Sequence, residues 1–216
     1  MKRGTVILTI ISVVILFGFL LLVYTLTNKP TNTDFPQINK IKADDHLKWS
    51  PAKKNILVEY GDFQCPACGN FFVFEKQAIE ASGSPNINLT KKITFVFRHF
   101  PLSQVHPNAF AGAYAAEAAS NQGQFWQMHD LLYKNQNLWV GSSTPKDFFA
   151  KYAKQLNLNI QQFTKDEDSQ AVKDRVNEDM LAGEQAGINS TPTLFLNGKM
   201  LSFASYDELL QTLKSL

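Results

Sequence analysis

"EYGDFQCPACGN", residues 59–70, contains both cysteines of a 216-residue chain, Cys65 and Cys68. Three uses compete for such a pair: a structural staple, a metal grip, or redox chemistry. A disulfide between them closes so short a loop that chain entropy gives only about 2 kcal/mol, against about 3 for a fifteen-residue loop, which makes a poor staple. A structural zinc needs four ligands, and the chain has no second C-x-x-C. His46, His99, His106 and His129 include no pair at the spacing typical of zinc ligands, so no metal is expected.

Redox chemistry fits the flanking sequence. "ILVEY", residues 56–60, is a short apolar run bounded by turn residues, the signature of a buried strand. Cys65 closes the loop after it, Pro66 takes the first helical position, and Cys68 falls one turn into the helix. Helix positions three apart share a face, so the two sulfurs can bond. The unpaired N–H groups and macrodipole at the helix start favour an anion on the first sulfur. Cys65 is thus expected as the nucleophile with a depressed pKa, and Cys68 as the buried resolving thiol.

The helix continues through "NFFVFEKQAIEA", and "ITFVF", residues 93–97, reads as the next strand, giving a right-handed parallel βαβ unit. From about 107 to 187 the pattern is helical: Ala-rich "NAFAGAYAAEAASNQGQFWQMHDLLYKNQ", a start at Thr144-Pro145, then Val172, Val176 and Met180 on one face with Gly187 as the stop. "TPTLFLNGKMLSF" then gives two strands about the Asn197-Gly198 hairpin turn, and Ser205 with Glu208 forms the capping box of a final helix. The expected order is βα, β, helical insertion, ββα.

Two further features bear on the site. Pro192 stands at the entrance of an apolar strand, where it is either an ordinary trans proline or a cis proline that turns the Thr191 backbone outward to meet an extended substrate. Glu59 interrupts "ILVEY" and is either a solvent-facing strand end or a buried proton acceptor for Cys68.

The stretches "ILVEYGDFQCPAC", "FRHFPL" with "HPNAFAGAYAAEAA", "QGQFWQMHDLLYKNQ" and "GINSTPTLFLNG" together resemble the DsbA-like thiol:disulfide oxidoreductases of the thioredoxin fold, especially membrane-anchored bacterial ones. The resemblance spans about residues 46–216. It implies an α/β thioredoxin fold (βαβ…ββα) with an inserted helical subdomain, and dithiol-disulfide exchange at Cys65–Cys68 with no other cofactor. It also implies that Pro192 is cis, that Thr191 and Pro192 with Pro66 and Ala67 form the substrate-binding face, and that Glu59 has the functional role. Exported reduced proteins are the implied substrates, and a quinone-linked membrane thiol oxidase the implied re-oxidising partner. Two departures stand out. Ala67 replaces the histidine of the best-known oxidases, removing one thiolate stabiliser, and Thr191 replaces their valine. The family's isomerases carry a separate dimerisation domain, for which residues 28–45 are too short, so a monomeric oxidase is the first reading. A reductase or isomerase of the same fold is the alternative, followed by a non-enzymatic chaperone or metal-holding module.

The remaining sequence sets location. Charges nearly balance at +2, and the basic doublets form no stripe, so nucleic acid is not an expected partner. Residues 5–27, "TVILTIISVVILFGFLLLVYTLT", carry no charge and follow Lys2-Arg3. A helix needs about 20 residues to span a bilayer core, so this is expected to be an uncleaved transmembrane anchor behind a cytoplasmic stub, residues 1–4. Residues 28–45 read as a polar linker and residues 46–216 as the domain, on the extracytoplasmic side of the cell membrane. Alkaline extraction is expected to leave intact protein in the membrane, whereas a soluble form beginning near Asn28 would show cleavage.

Overall fold

The computed structural model describes residues 11–21, 23 and 34–216, in two units, Met1–Thr33 and Asp34–Leu216. In the first, residues 11–21 are helical. Among the described residues no helix is long and apolar enough to cross a membrane, and the rest of the expected 5–27 span lies outside them.

The second unit is built on a five-stranded mixed sheet: β1 (His46–Trp49), β2 (Asn55–Gly61), β3 (Ile93–His99), β4 (Thr193–Leu196) and β5 (Lys199–Met200), in the order β1-β3-β2-β4-β5. β2 and β3 are parallel, as a crossover through a helix requires, and the other pairs are antiparallel. Helix α1 (Pro66–Phe74) runs on as a π-helical segment, Glu75–Glu80, where an unbroken α-helix was expected. A short α2 (Leu89–Lys92) precedes β3. The insertion holds α3 (Ala109–Ser120), α4 (Phe125–Lys134), α5 (Gln136–Trp139), α6 (Pro145–Gln155), α7 (Ile160–Glu167) and α8 (Gln170–Gln185), and α9 (Tyr206–Lys214) closes the unit.

Alternation along the strands divides the core between the two sheet faces. Leu57, Phe95, Phe97 and Leu194 pack with Cys68, Phe71 and the helices of one face, while Val58, Tyr60, Val96 and Phe195 pack with Phe100, Ala186 and Ile188 on the other. By this period Glu59 points to the cysteine face. Gly61 follows it, and a Cβ there would meet the Phe97 ring at 2.5 Å and Glu59 Oε1 at 3.0 Å, so no larger residue fits above the carboxyl.

Local signals behave as their chemistry dictates. Asn197 and Gly198 adopt φ of 52° and 81°, as the tight hairpin turn demands. Ser205 Oγ accepts from the Glu208 N–H, while the Glu208 carboxylate reaches back to the N–H of Ala204, one residue earlier than in the standard box. At the end of α8, Gly187 has φ 76° and Ile188 N–H bonds the Gly183 carbonyl, a Schellman stop.

Two readings need correction. β1 was not expected, because a four-residue strand carrying His46 and Lys48 lacks an apolar run. The polar linker does not run to residue 45: the folded unit begins at Asp34. Phe35 N–H bonds the Gly198 carbonyl, and Ile38 is buried against the second face. The clamp is Arg98, whose guanidinium forms a bidentate pair with Asp45 at 2.9 and 2.8 Å and donates to the carbonyls of Ile38 and Lys40. Because the clamp comes from β3, no local pattern in 34–45 announces it.

Arg98→Met is expected to cost about 3–5 kcal/mol in denaturant unfolding, since it leaves the buried Asp45 carboxylate unpaired. Arg98→Met with Asp45→Asn is expected to recover part of the loss, the two carbonyls still lacking their donor.

Candidate functional site

The site assembles where β2 ends and α1 begins. Cys65 is the N-cap of α1, with Pro66 next at the helix start, so both cysteines lie within the first turn. Cys68 is fully buried and Cys65 is 6 % exposed, and both thiols are free. The Thr191–Pro192 peptide is cis, and the Thr191 carbonyl lies 3.3 Å from Cys65 Sγ. Thr191 and Cys65, 126 residues apart in sequence, thus face one another, and Ala67 is exposed beside them.

The two thiols are driven apart electrostatically. Hydrogen bonding from the Cys68 thiol lowers the Cys65 pKa most, the Thr191 side chain and the N–H groups of Cys68 and Ala67 lower it further, and partial burial opposes them; the thiol falls to about 5. The 3.3 Å approach to the Thr191 carbonyl serves only the protonated thiol, which can donate to it; the thiolate takes its bonds from the other groups. Burial pushes Cys68 well up, and the neighbouring Cys65 and Glu59 push it further.

Glu59 lies on the cysteine side, 2 % exposed, with Oε1 making no hydrogen bond. Burial raises its pKa well above the carboxylate range, Glu75 and Cys65 add to the rise, and Lys48 opposes it. Lys48, on β1, pairs with Glu75 and with Glu80 at 3.1 Å, its ammonium 4.6 Å from the centre of the Trp126 ring. Burial lifts the Glu75 pKa to about 7 against the pull of Lys48. The site therefore has a floor of ionisable groups, Glu59, Glu75, Glu80 and Lys48, of which only Glu59 was singled out in the sequence.

The turn itself is held by groups that sequence reasoning missed. Asp62, 1 % exposed, donates its N–H to Cys68 Sγ at 3.5 Å, and its carbonyl accepts from Cys65 N–H. Its carboxylate accepts from the N–H groups of Gln64 and Leu102 and bonds His106 Nδ1 at 2.7 Å. From the insertion, the Gln136 side-chain amide donates to the carbonyls of Phe63 and Cys65, at 2.8 and 2.9 Å. Gln64 is held in turn by Asn108 N–H and the Val140 carbonyl. Asp62 reads as an ordinary turn residue and Gln136 as a helix surface position, and only tertiary contact distinguishes them. The histidines, dispersed in sequence, are partly gathered: His46 and His99 both bond Glu117 Oε1, at 2.6 and 2.7 Å.

In the reduced protein, ultraviolet titration of the thiolate is expected to show one thiol ionising near pH 5. A midpoint near the free-thiol value of about 8.5 would overturn the assignment of Cys65 as the nucleophile.

The pattern of the Thioredoxin family matches residues 45–215. Among solved structures, the chain is similar to oxidised BdbD from Bacillus subtilis (TM-score 0.65, 20 % identity, covering 79 % of this chain and 91 % of that one). It is similar also to alpha-DsbA1 of Wolbachia pipientis (0.66, 17 %, 83 % and 96 %) and to MdbA, a thiol-disulfide oxidoreductase from Corynebacterium diphtheriae (0.61, 22 %, 86 % and 95 %). Curated relatives include the Na(+)/H(+) antiporter NhaA 1 of Salinispora arenicola, 38 % identical over 72 % of this chain, and NhaA of Herminiimonas arsenicoxydans, 32 % identical over 81 %. The chain spans only 22 % and 26 % of the length of those two proteins. Matched by that pattern over most of its length, the chain belongs to the thioredoxin family, and its fold is similar to that of these solved structures.

Proposed function

We propose that the chain oxidises reduced proteins exported across the membrane, by handing over a Cys65–Cys68 disulfide. The observation that carries this is the geometry of the pair, with Cys65 at the mouth of α1 against the Thr191 backbone and Cys68 buried one turn in, which lowers the first thiol to about 5 and raises the second. A substrate thiolate attacks Cys65 Sγ, the Cys65–Cys68 bond breaks, and Cys68 leaves with the electron pair and takes a proton. A second substrate thiolate then attacks the substrate sulfur of the mixed disulfide. Cys65 departs as a thiolate, the substrate disulfide is complete, and the protein is left with a dithiol. A low-pKa leaving thiol speeds this release and stabilises the reduced protein, which makes its disulfide a donor.

Each neighbouring group has a part in this reading. The Thr191 backbone beside the cis proline lies against Cys65, where an extended substrate segment would pair with it, and exposed Ala67 leaves that side open. Glu59, raised by burial toward the range of a working acid–base group, would exchange the Cys68 proton. The uncharged 5–27 segment would hold this domain, as a monomer, on the outer side of the cell membrane, within reach of a quinone-linked thiol oxidase that restores the disulfide.

The direction of electron flow is the test. The folded Cys65 pKa lies below the unfolded value of about 8.5, so its ionisation stabilises the reduced protein fully above that value. The contribution declines as pH falls and is gone below about 5. At pH 7 the two units between the folded pKa and ambient pH set a ceiling of about 2.7 kcal/mol, or roughly 60 mV, which solvent screening at the sulfur reduces. Above about pH 8.5 the raised Cys68 pKa opposes it, so the informative window is pH 5–8. In denaturant at pH 7 the reduced protein is expected to unfold later than the oxidised one, with the gap closing toward pH 5. An oxidised form clearly the more stable would replace the oxidase by a reductase.

A further inference from the structure

Away from the cysteines, three side chains from three different elements meet in the interior. His46 comes from β1, His99 from the end of β3 and Glu117 from α3. All three are buried; one ring nitrogen from each histidine and a Glu117 oxygen lie within 4.8 Å of one another, and both Nε2 atoms bond Glu117 Oε1. We propose that His46, His99 and Glu117 form a binding site for a first-row divalent cation, with zinc as its best fit.

Donor chemistry selects the class. Two neutral imidazoles and one carboxylate suit zinc and its neighbours, whereas calcium and magnesium take all-oxygen shells. Zinc–ligand bonds of about 2.0–2.2 Å place tetrahedral donors about 3.3 Å apart. An ion would therefore lengthen the 2.6 and 2.7 Å His–Glu contacts by roughly 0.6 Å, a shift within side-chain reach.

Access and charge agree with it. A polar cavity of about 420 Å³ opens on His46 and Glu117, giving an ion a route in and a water the fourth position. Arg175, which also lines this cavity, is ion-paired to Asp44 at 2.9 Å and Asp179 at 2.8 Å, so its charge is already matched. The His46 ring is fixed by stacking on Phe125, centroids 3.4 Å apart, which sets its nitrogen toward Glu117 before any ion arrives. A bound ion would tie β1, β3 and α3 together, joining the sheet to the insertion. The site shares no residue with the thiol reaction, so either proposal can fail alone.

The test uses the full chain in detergent, stripped with chelator and fully oxidised so that the thiols cannot compete for metal. Calorimetric titration with zinc chloride is expected to give one site per chain, unaffected by excess calcium, with a rise in melting temperature. His46→Gln and Glu117→Gln, which keep polar side chains in place, are each expected to weaken binding by more than about tenfold. Cobalt(II) added to the unmutated protein is expected to give the visible bands of a low-coordinate nitrogen–oxygen site, a readout that needs no variant to fold. Absence of zinc binding to the oxidised protein, or binding that both variants keep to within that factor, would overturn the proposal.

Discussion

Asp62 holds the cysteine turn from both sides of its own peptide. Its N–H reaches Cys68, its carbonyl takes the Cys65 N–H, and its buried carboxylate is filled by two more backbone N–H groups and by His106. A buried carboxylate is tolerable only when so satisfied. Here its satisfaction also fixes the two loops that meet at the site, the one carrying the cysteines and the one after β3. The position of Cys65 at the helix mouth, and hence its low pKa, depends on that junction.

Beneath the turn the protein keeps ionisable groups where apolar packing would cost less. Lys48 anchors Glu75 and Glu80, while Glu59 stands beside them with one oxygen unbonded. Such an arrangement reduces stability, because an incompletely satisfied buried carboxyl is costly. In the proposed reaction it gives proton capacity beside the Cys68 sulfur, which must take a proton as it leaves the disulfide. The absence of a side chain at Gly61 leaves the room that the Phe97 ring and this carboxyl occupy.

Much of this was legible in the sequence because its signals are local. The strand before Cys65, the proline at the helix start, the Asn197-Gly198 turn and the Ser205 cap each depend on neighbours within a few residues, and each appears where the pattern put it. What escaped is non-local. β1 exists because β3 offers it an edge, residues 34–45 are fixed by an arginine more than fifty positions away, and the His46–His99–Glu117 cluster spans 71 residues. Glu59 lies between these cases. Its interruption of an apolar run was visible, but the burial that raises its pKa, and the neighbours Glu75 and Lys48 that add to and oppose that rise, come from other elements.

The amide of Gln136 joins two parts of the chain that evolution could otherwise exchange independently. Both of its protons go to carbonyls of the cysteine loop, although the residue belongs to the inserted helices. The insertion is thus not an ornament that could be exchanged for another of similar size. A chimaera that grafted foreign helices between β3 and β4 would keep the sheet and both cysteines, yet take the Gln136 amide from the Phe63 carbonyl and leave the Cys65 carbonyl only the Gly69 N–H. Any lineage that remodels these helices must carry a hydrogen-bond donor along at this one point, or let the turn drift.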